Sequence, residues 1–323
     1  MTNPAKAPLA FIGCDVGKAA IVVFDSRDNR TQFIPNQPDA LATFAKSLDP
    51  TCFVVCEATG GHEAALLAAT VSARIPVHRA DARKVKAFIR SYGTLGKTDA
   101  IDARALARYG AERAPSLARW QPRDAWRDQL QDLVLTRNDL VATRVAYANR
   151  LGAPGAKAGA PFLKAILAAL DAQILAVDAA TTTLVRDNAP LRQAVATLTS
   201  ITSIGAVTAT SLLALMPELG HLDRRQVAAL GGLAPHPNQS GASDGYRRTK
   251  GGRPEVRKAL FMAALSAARH HKTLRPFYEK LIANGKKKLV ALAAVMRKLL
   301  IICNAVLRPD CRSAPGKPAI AGH

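Results

Sequence analysis

Short apolar runs separated by polar turn residues fill the first third of the chain, and they predict strands. Five such runs, rich in Val, Ile, Phe and Cys, lie near residues 9–15, 19–25, 30–34, 52–57 and 75–79. Segments with helical periodicity lie near residues 38–48, 62–73, 81–91 and 99–111. Three early strands joined by short turns, then helices alternating with strands, predict an α/β domain with the element order of a ribonuclease H-like fold.

Two longer helical patterns follow this domain. Residues 123–151 contain neither Gly nor Pro, which predicts one long helix, and a second helix is predicted from residue 161 to about 188. Apolar residues at heptad spacing in the first helix, interrupted by Arg137 and Arg144, suggest a coiled coil. The two helices most simply form an antiparallel hairpin. Its role stays open between a spacer and an arm for dimerisation or for bracing nucleic acid.

The remainder of the chain is predicted to be mostly helical. Residues 201–216 favour a helix-hairpin-helix with Gly205 in the tight turn, where exposed N–H groups could bind a phosphate. An ordinary turn between two packed helices is the alternative. Residues 231–254 are rich in Gly, Pro and Asn and predict a long loop, and residues 255–271 predict an amphipathic helix.

These patterns divide the chain into four predicted parts. They are an α/β domain at residues 1–114, a helical hairpin at 115–190, a mostly α domain at 191–308, and a disordered tail at 309–323. The stretch from Leu289 to Leu307 is strongly apolar but contains Arg297 and Lys298, so we expect a packed helix and no membrane span.

Charge points to a polyanionic partner. The 323 residues include 45 Lys and Arg against 24 Asp and Glu, a net charge of +21, and residues 221–300 hold 17 of these cations against only four acids. Nucleic acid is therefore the expected partner, with an anionic membrane as the main rival. No secretory signal pattern is present, so we expect a cytoplasmic protein, and the five cysteines fit reduced core thiols better than disulfides or zinc.

Four acids sit at the ends of predicted elements. Asp15 and Glu57 end two apolar strands, while Asp99 and Asp102 lie one turn apart at a helix start that Thr98 could cap. Mg²⁺ prefers such oxygen ligands, and bound Mg²⁺ can stabilise displacement at a phosphodiester. Each acid alone could instead be a turn residue or offset the helix dipole. The ordered set favours a magnesium site that acts on nucleic acid.

A Ser-Gly sequence lies within the predicted loop among several cations. Ser240 is the candidate nucleophile, because nearby guanidinium groups could neutralise charge that develops on a phosphoryl group. A flexible basic loop whose serine only shapes a turn is the alternative. The cations that we expect to contact nucleic acid are Arg247, Arg248, Lys250, Arg253, Lys286, Lys287 and Lys288.

The order of these motifs resembles the insertion-sequence 110 family of transposases, which are related to the pilin-gene invertase. The motifs are Gly-x-Asp-Val at Asp15, Glu-Ala-Thr-Gly at Glu57, Lys-Thr-Asp-x-x-Asp-Ala at 97–103, Gly-Gly-Leu-Ala-Pro at 231–235 and Ser240-Gly241. One departure from the pattern is Ser203-Ile-Gly205 where Gly-Ile-Gly is usual.

The resemblance implies a RuvC-like domain whose four acids, Asp15, Glu57, Asp99 and Asp102, bind Mg²⁺, for which Mn²⁺ can substitute. It also implies a catalytic serine, matched by Ser240 with Ser243 as the nearby alternative. The implied activity is DNA cleavage and strand exchange through a covalent phosphoserine, in a dimer or tetramer guided by a structured RNA. A hydrolytic junction resolvase and a non-catalytic nucleic-acid-binding scaffold are the competing hypotheses.

Overall fold

The computed structural model describes residues 10–93, 98–122, 124–155, 157–240 and 243–308, with the backbone alone for 237–240 and 243–247. The chain divides into two compact units, Met1–Arg123 and Asp124–His323.

A five-stranded mixed sheet forms the centre of the first unit. Its strands are β1 (Ala10–Val16), β2 (Ala20–Asp25), β3 (Arg30–Pro35), β4 (Cys52–Glu57) and β5 (Val77–Ala80), in the order β3-β2-β1-β4-β5. The first three strands form an antiparallel meander, and β4 and β5 extend it in parallel pairing from β1. This topology confirms the predicted α/β domain, because each crossover helix returns the chain to a parallel strand.

Helices cover both faces of this sheet. They are α1 (Pro38–Ser47), α2 (Ala64–Ser72), α3 (Ala82–Ser91) and α4 (Asp99–Arg113), and a 3-10 turn follows at Ala114–Ser116. The helix α4 approaches β1 closely, since a Cβ on Gly13 would lie 1.9 Å from the carbonyl oxygen of Ala103. Gly110, two turns later, lies against Phe11. The helix therefore runs antiparallel to β1, and its first turn lies at the carboxyl end of that strand.

The second unit is mostly helical. It contains α5 (Ala125–Leu151), α6 (Ala160–Asp187), α7 (Ala189–Thr199), α8 (Ala206–Leu215), α9 (Arg224–Leu230), β6 (Pro235–Ser240), β7 (Ser243–Thr249), α10 (Pro254–His270), α11 (Leu274–Ala283) and α12 (Lys288–Val306). Its core is formed by α7 to α12 together with the base of α5, where Leu130 and Val134 are buried. The helix α12 buries most of one face, so the prediction of a packed helix is confirmed.

Ion pairs set the register of α5 against α6. Arg137 pairs with Asp178 at 2.6 Å, and Arg144 pairs with Asp171. Seven residues forward on α5 correspond to seven residues back on α6, so the helices are antiparallel. The two arginines that interrupt the heptad pattern thus make the ion pairs between these helices. By length and apolar composition alone, α6 and α12 are also long enough to cross a bilayer.

The prediction of an irregular loop at residues 231–254 is wrong. Strands β6 and β7 pair as an antiparallel ribbon, with Ser240 opposite Ser243 and an irregularity between His236 and Asn238. Proline disfavours a central strand because it lacks an N–H, but both strands of a two-stranded ribbon are edges. The bulge also surrounds Pro237, so this sequence is compatible with strand geometry.

The predicted position of the tight turn before α8 is also wrong. Gly205 has φ −88° as the N-terminal cap of α8, and a Cβ added to it would meet no atom within 4 Å beyond its chain neighbours. The left-handed residue of this turn is Ser203, with φ 80°. The turn between α7 and α8 therefore depends on Ser203, two residues before the glycine.

Candidate functional site

Asp15 and Glu57 end neighbouring parallel strands of the first unit. Cys14 pairs with Cys56 in the register of β1 and β4, so the two acids that follow occupy adjacent positions, on strands about 4.8 Å apart. Side chains alternate along a strand, and Gly13 and Val55 both face α4. Asp15 and Glu57, each two residues later, therefore lie on the α4 face of the sheet.

The other two acids lie in the first turn of α4. Thr98 caps this helix, with its hydroxyl oxygen accepting a hydrogen bond from the backbone N–H of Ile101 at 3.3 Å, which confirms the predicted cap. Asp99 is exposed and Asp102 is half-buried. Because α4 runs antiparallel to β1, all four acids lie at the same edge of the sheet.

Sharing an edge does not by itself make a closed metal centre. Within the part of the chain that the structure describes, no three His, Cys, Asp or Glu side chains come together as a metal-binding group. The donor set suits a hard cation, since Asp15 and Glu57 provide carboxylate oxygens from adjacent strands. Asp99 and Asp102 would have to move closer to complete the coordination. Lys97, which precedes them in the motif, lies outside the described residues.

A buried carboxylate that sequence analysis missed holds the loop after β4. Glu63 is only 2% exposed, accepts hydrogen bonds from the backbone N–H groups of Thr59 and Gly61 at 3.0 Å, and forms an ion pair with Arg79 at 2.6 Å. Burial raises the pKa of this carboxyl group, but the backbone donors and Arg79 outweigh that effect and lower it. The loop that follows Glu57 is therefore fixed by a charged network.

Asn36 connects the loops that follow the two acid-bearing strands. Its Nδ2 donates to the backbone oxygens of Gly17 at 2.9 Å and His62 at 3.0 Å. Gly17 lies two residues after Asp15, and His62 belongs to the loop after Glu57. Such outer contacts orient metal ligands in many sites. Neither Asn36 nor Glu63 stands in a recognisable motif. Asn36 contacts backbone oxygens of two distant segments, and the ion-pair partner of Glu63, Arg79, lies 16 residues away.

The described cysteines lie in the core. Cys14, Cys52, Cys56 and Cys303 are buried free thiols, which confirms the prediction of core thiols for the described cysteines; Cys311 lies outside them. Burial raises the pKa of the Cys14 thiol well above its usual value and that of Cys56 to about 12.

In the second unit, Ser240 is the last residue of β6. Its backbone pairs with that of Ser243 across the hairpin, while the side chains of both serines and of Arg247, as well as Gly241, lie outside the description. Arg248 and Lys250 are exposed near the other end of the ribbon. Lys286, Lys287 and Lys288 are also exposed, at the start of α12.

Arg253 has a different environment from the one expected. Its guanidinium donates to both carboxylate oxygens of Glu218, at 2.7 and 2.8 Å, and to the backbone oxygen of Leu215 at 2.7 Å. These contacts join the start of α10 to the end of α8. The guanidinium group of Arg253 thus makes three hydrogen bonds within the protein, and its contact with nucleic acid stays a prediction.

Comparison with known proteins connects both units to one kind of protein. Residues 12–153 match the model of the IS110-type DEDD transposase, and residues 195–279 match the model described as the transposase IS116/IS110/IS902 family. The chain is 29% identical over 264 residues to the pilin gene-inverting proteins of Moraxella lacunata and of Moraxella bovis, covering 80% of this chain and 81% of each relative.

A third similar protein is encoded by insertion element IS110 of Streptomyces coelicolor. It is 30% identical over 118 residues, which cover 34% of this chain and 28% of that protein. The two family matches together cover more than two thirds of the chain and include all four acids and Ser240.

Proposed function

Because the chain belongs to the IS110 family of transposases, whose activity is DNA cleavage and rejoining, we propose that it breaks DNA with Ser240 as nucleophile and with Mg²⁺ held by four acids. Mn²⁺ would substitute for Mg²⁺. The observation that supports the proposal is that Asp15, Glu57 and the first turn of α4 all lie at one edge of the sheet.

The metal would be held first by the adjacent carboxylates. Asp15 and Glu57 lie on neighbouring strands and share a face. Asp99 and Asp102, in the first turn of the capped helix, would move closer to become further ligands. When bound, Mg²⁺ supplies Lewis-acid stabilisation of charge on the phosphodiester oxygens. Asn36 and Glu63 hold the loops around the two strand ends, so the first pair is preorganised.

The serine step keeps the number of phosphodiester bonds constant. The Ser240 oxygen forms a bond to phosphorus, its proton passes to a base, and the bond from phosphorus to the leaving sugar oxygen breaks with protonation of that oxygen. A sugar hydroxyl of another DNA end then attacks the phosphoserine and releases the serine. Arg247, Arg248 and Lys250 follow Ser240 on β7 or just after it, and their charge suits the transferred phosphoryl group.

Partner contacts are proposed from charge and exposed apolar surface. The net charge of +21 favours DNA together with a structured guide RNA as partners. Gly205 at the exposed start of α8 and the lysines 286–288 are further candidate phosphate contacts.

Several large apolar side chains on α5 and α6 are exposed, which favours association of these helices with a second copy in a dimer or tetramer. These are Leu135, Val145, Phe162, Ile166 and Leu175. We place this activity in the cytoplasm.

A covalent adduct tests the serine mechanism. Full-length protein with Mg²⁺, guide RNA and labelled DNA is run on a denaturing gel beside the Ser240→Ala, Ser243→Ala and Asp15→Asn variants. We expect an adduct with the wild type and with Ser243→Ala, and none with Ser240→Ala. An equally strong adduct in Ser240→Ala contradicts the proposed nucleophile.

The same gel separates the competing enzyme. A hydrolytic resolvase that uses the acids with water as nucleophile would nick DNA in both serine variants and form no adduct. A non-catalytic scaffold would bind DNA but leave it intact. Titration calorimetry with Mn²⁺ adds a second readout, because heat of binding that is unchanged in Asp15→Asn would show that the acids do not hold the metal.

A further inference from the structure

A cavity of about 120 Å³ opens between α3 and α4 on the first unit. Ile89, Ile101 and Ala105 give it an apolar lining, and aromatic and arginine side chains complete it. It is separate from the acid edge, because Ile101, Ala105 and Arg108 lie on a different side of α4 from Ala103 and Gly110, which face the sheet.

Three stacked groups form one wall of this cavity. The rings of Phe88 and Tyr92 meet edge to face with their centroids 5.1 Å apart, and the guanidinium of Arg108 lies 3.6 Å from the centroid of Tyr92. Tyr92 is 42% exposed. This wall therefore reaches the surface with the flat guanidinium group of Arg108 over the ring of Tyr92.

Glu112 holds the stack in place. Its carboxylate accepts a hydrogen bond from the Tyr92 hydroxyl at 2.5 Å and another from Arg108 Nε at 2.8 Å. Both outer members of the stack are thus fixed before any ligand arrives. The hydrogen bond from Arg108 to Glu112 uses Nε.

The surface around the cavity is strongly basic. The helix α3 contains no acid, and it exposes Arg83, Lys84, Lys86 and Arg90. Of these, Arg83 pairs with Asp81 at the helix start. Arg104, on α4, also lines the cavity. Such a surface favours phosphate groups and disfavours a basic peptide or a second copy of the same face.

We propose that this cavity binds an unpaired base of the DNA strand next to the site of cleavage. Bases stack on aromatic rings and on arginine planes, while neighbouring cations contact the backbone phosphates. A paired base cannot offer its flat face to such a wall. The inference rests on the proposed function, since it assumes that DNA is cut at the acid edge.

The cavity lies on the same helix as Asp102 but farther along it. Arg108 is six residues after Asp102, roughly 9 Å along the helix axis at about 1.5 Å per residue, and the two residues lie on different sides of α4. A single strand would therefore pass around α4 between the acids and the cavity, and a base held there would keep that part of the strand unpaired.

Fluorescence of 2-aminopurine tests the inference with the full-length protein. A single-stranded DNA oligonucleotide carries this base at successive positions, and stacking quenches it. We expect quenching at one position with the wild type and with Tyr92→Phe, which keeps the ring. In Tyr92→Leu we expect the quenching to be lost and the affinity to fall about tenfold, as for the loss of one stacked base.

Variants of arginine and of a second aromatic residue make the result specific. Arg108→Lys keeps the charge but not the plane, so we expect lost quenching with an unchanged salt dependence. Phe33, 72% exposed on β3, provides the matched control, and Phe33→Leu should bind and quench like the wild type. Thermal unfolding of each variant checks that the fold is retained.

Three results would overturn the inference. The first is wild-type quenching in Tyr92→Leu, and the second is a loss of quenching in Phe33→Leu equal to that in Tyr92→Leu. The third is tighter binding and stronger quenching with RNA of the same sequence than with DNA. The adduct assay separates this failure from failure of the proposed function. If the adduct depends on Ser240 but quenching is normal in Tyr92→Leu, only the base pocket is rejected. If quenching depends on Tyr92 but no adduct forms, only the serine mechanism is rejected.

Discussion

Ser203 combines a strained backbone conformation with a buried hydroxyl group that lacks a hydrogen-bond partner within the described residues. Its φ of 80° lies in the left-handed region, which costs a non-glycine residue roughly 1 kcal/mol or more. Its hydroxyl oxygen is buried and has no hydrogen-bond partner within the described part of the chain. This is the position where the sequence departs from the Gly-Ile-Gly pattern of the family that it resembles.

We expect Ser203→Gly to raise the free energy of unfolding by about 1 kcal/mol, since relief of strain and of the unpaired hydroxyl exceeds the entropy cost of glycine. Urea denaturation measures the change. Ser200→Gly is the control, because Ser200 has φ −67° and its hydroxyl donates to Thr197. The control should be neutral or destabilising, and a gain in both variants would contradict the explanation.

Asn36 permits a test of the link between the two acid-bearing loops. The Asn36→Ala substitution removes the hydrogen bonds to the backbone oxygens of Gly17 and His62, so the two loops are no longer joined. We expect the Mn²⁺ dissociation constant to rise about tenfold, as it does when other residues that orient metal ligands are removed. Titration calorimetry measures this constant. His62→Ala is the matched control, because only the backbone oxygen of His62 is used, and its affinity should stay at the wild-type value. Equal affinities in all three proteins would show that Asn36 does not position the acids.

At the scale of elements, the packing of α4 on β1 depends on the absence of a side chain at Gly13. A Cβ there would lie 1.9 Å from the Ala103 oxygen and 2.5 Å from the Ala107 nitrogen, both backbone atoms of α4. We expect Gly13→Ala to lower the free energy of unfolding by about 3 kcal/mol or more, through overpacking. Gly205→Ala, in open space with φ −88°, should cost less than about 1 kcal/mol. Chemical denaturation of both variants provides the comparison.

His271 links the ends of two helices through a neutral ring. Its Nδ1 lies 3.2 Å from the backbone nitrogen of Thr273 and 3.3 Å from that of Leu274, and it accepts from both at the start of α11. Burial lowers the pKa of His271 in the folded state from its usual value of 6.5. Protonation would remove the acceptor that these two N–H groups share.

The unfolded chain therefore binds a proton at His271 more readily than the folded chain does. Its contribution to stability is present above pH 6.5 and is lost as the pH falls through the lowered pKa of the folded state. We expect the stability of the wild type to decrease as the pH falls below about 6.5, and to decrease less steeply in His271→Asn. The exposed neighbour variant His270→Asn should keep the wild-type slope. Thermal unfolding across this pH range measures both slopes.

At the scale of the whole molecule, the chain is built from two units with separate cores. Buried clusters of the first unit lie on the two faces of the sheet, while those of the second unit join α5 to α12. The four-part division predicted from sequence remains a proposal, although the base of α5 shares the core of the later helices.

Separate cores predict independent folding of residues 1–123 and 124–323. We expect each fragment to unfold cooperatively, with a midpoint within a few degrees of one transition of the intact chain. Calorimetry of the intact protein and of both fragments tests this. A fragment that lacks a cooperative transition would show that its core depends on the other unit.

Much of this architecture can be predicted from patterns of a few neighbouring residues in the sequence. The apolar runs that became β1 and β4, the Thr98 cap of α4, and the uninterrupted helix α5 all follow from period, propensity and capping, which act over a few residues. The four candidate acids were predicted for the same reason, since each lies at the start or the end of an element whose boundary is locally encoded. The ribbon of β6 and β7 was missed because pairing between two edge strands permits the prolines and bulge that argue against a strand.

The sequence by itself determined the type and order of most elements, the excess of positive charge, and the family to which the chain belongs. Tertiary structure alone decided that Arg253 pairs with Glu218, that Ser203 is the left-handed residue of its turn, and that Asn36 and the Glu63–Arg79 ion pair fix the loops after β1 and β4. The physical reason is the separation along the chain of the residues that interact. Periodicity and caps act between near neighbours, whereas these contacts join segments whose proximity exists only after β1, β4 and the later helices have packed.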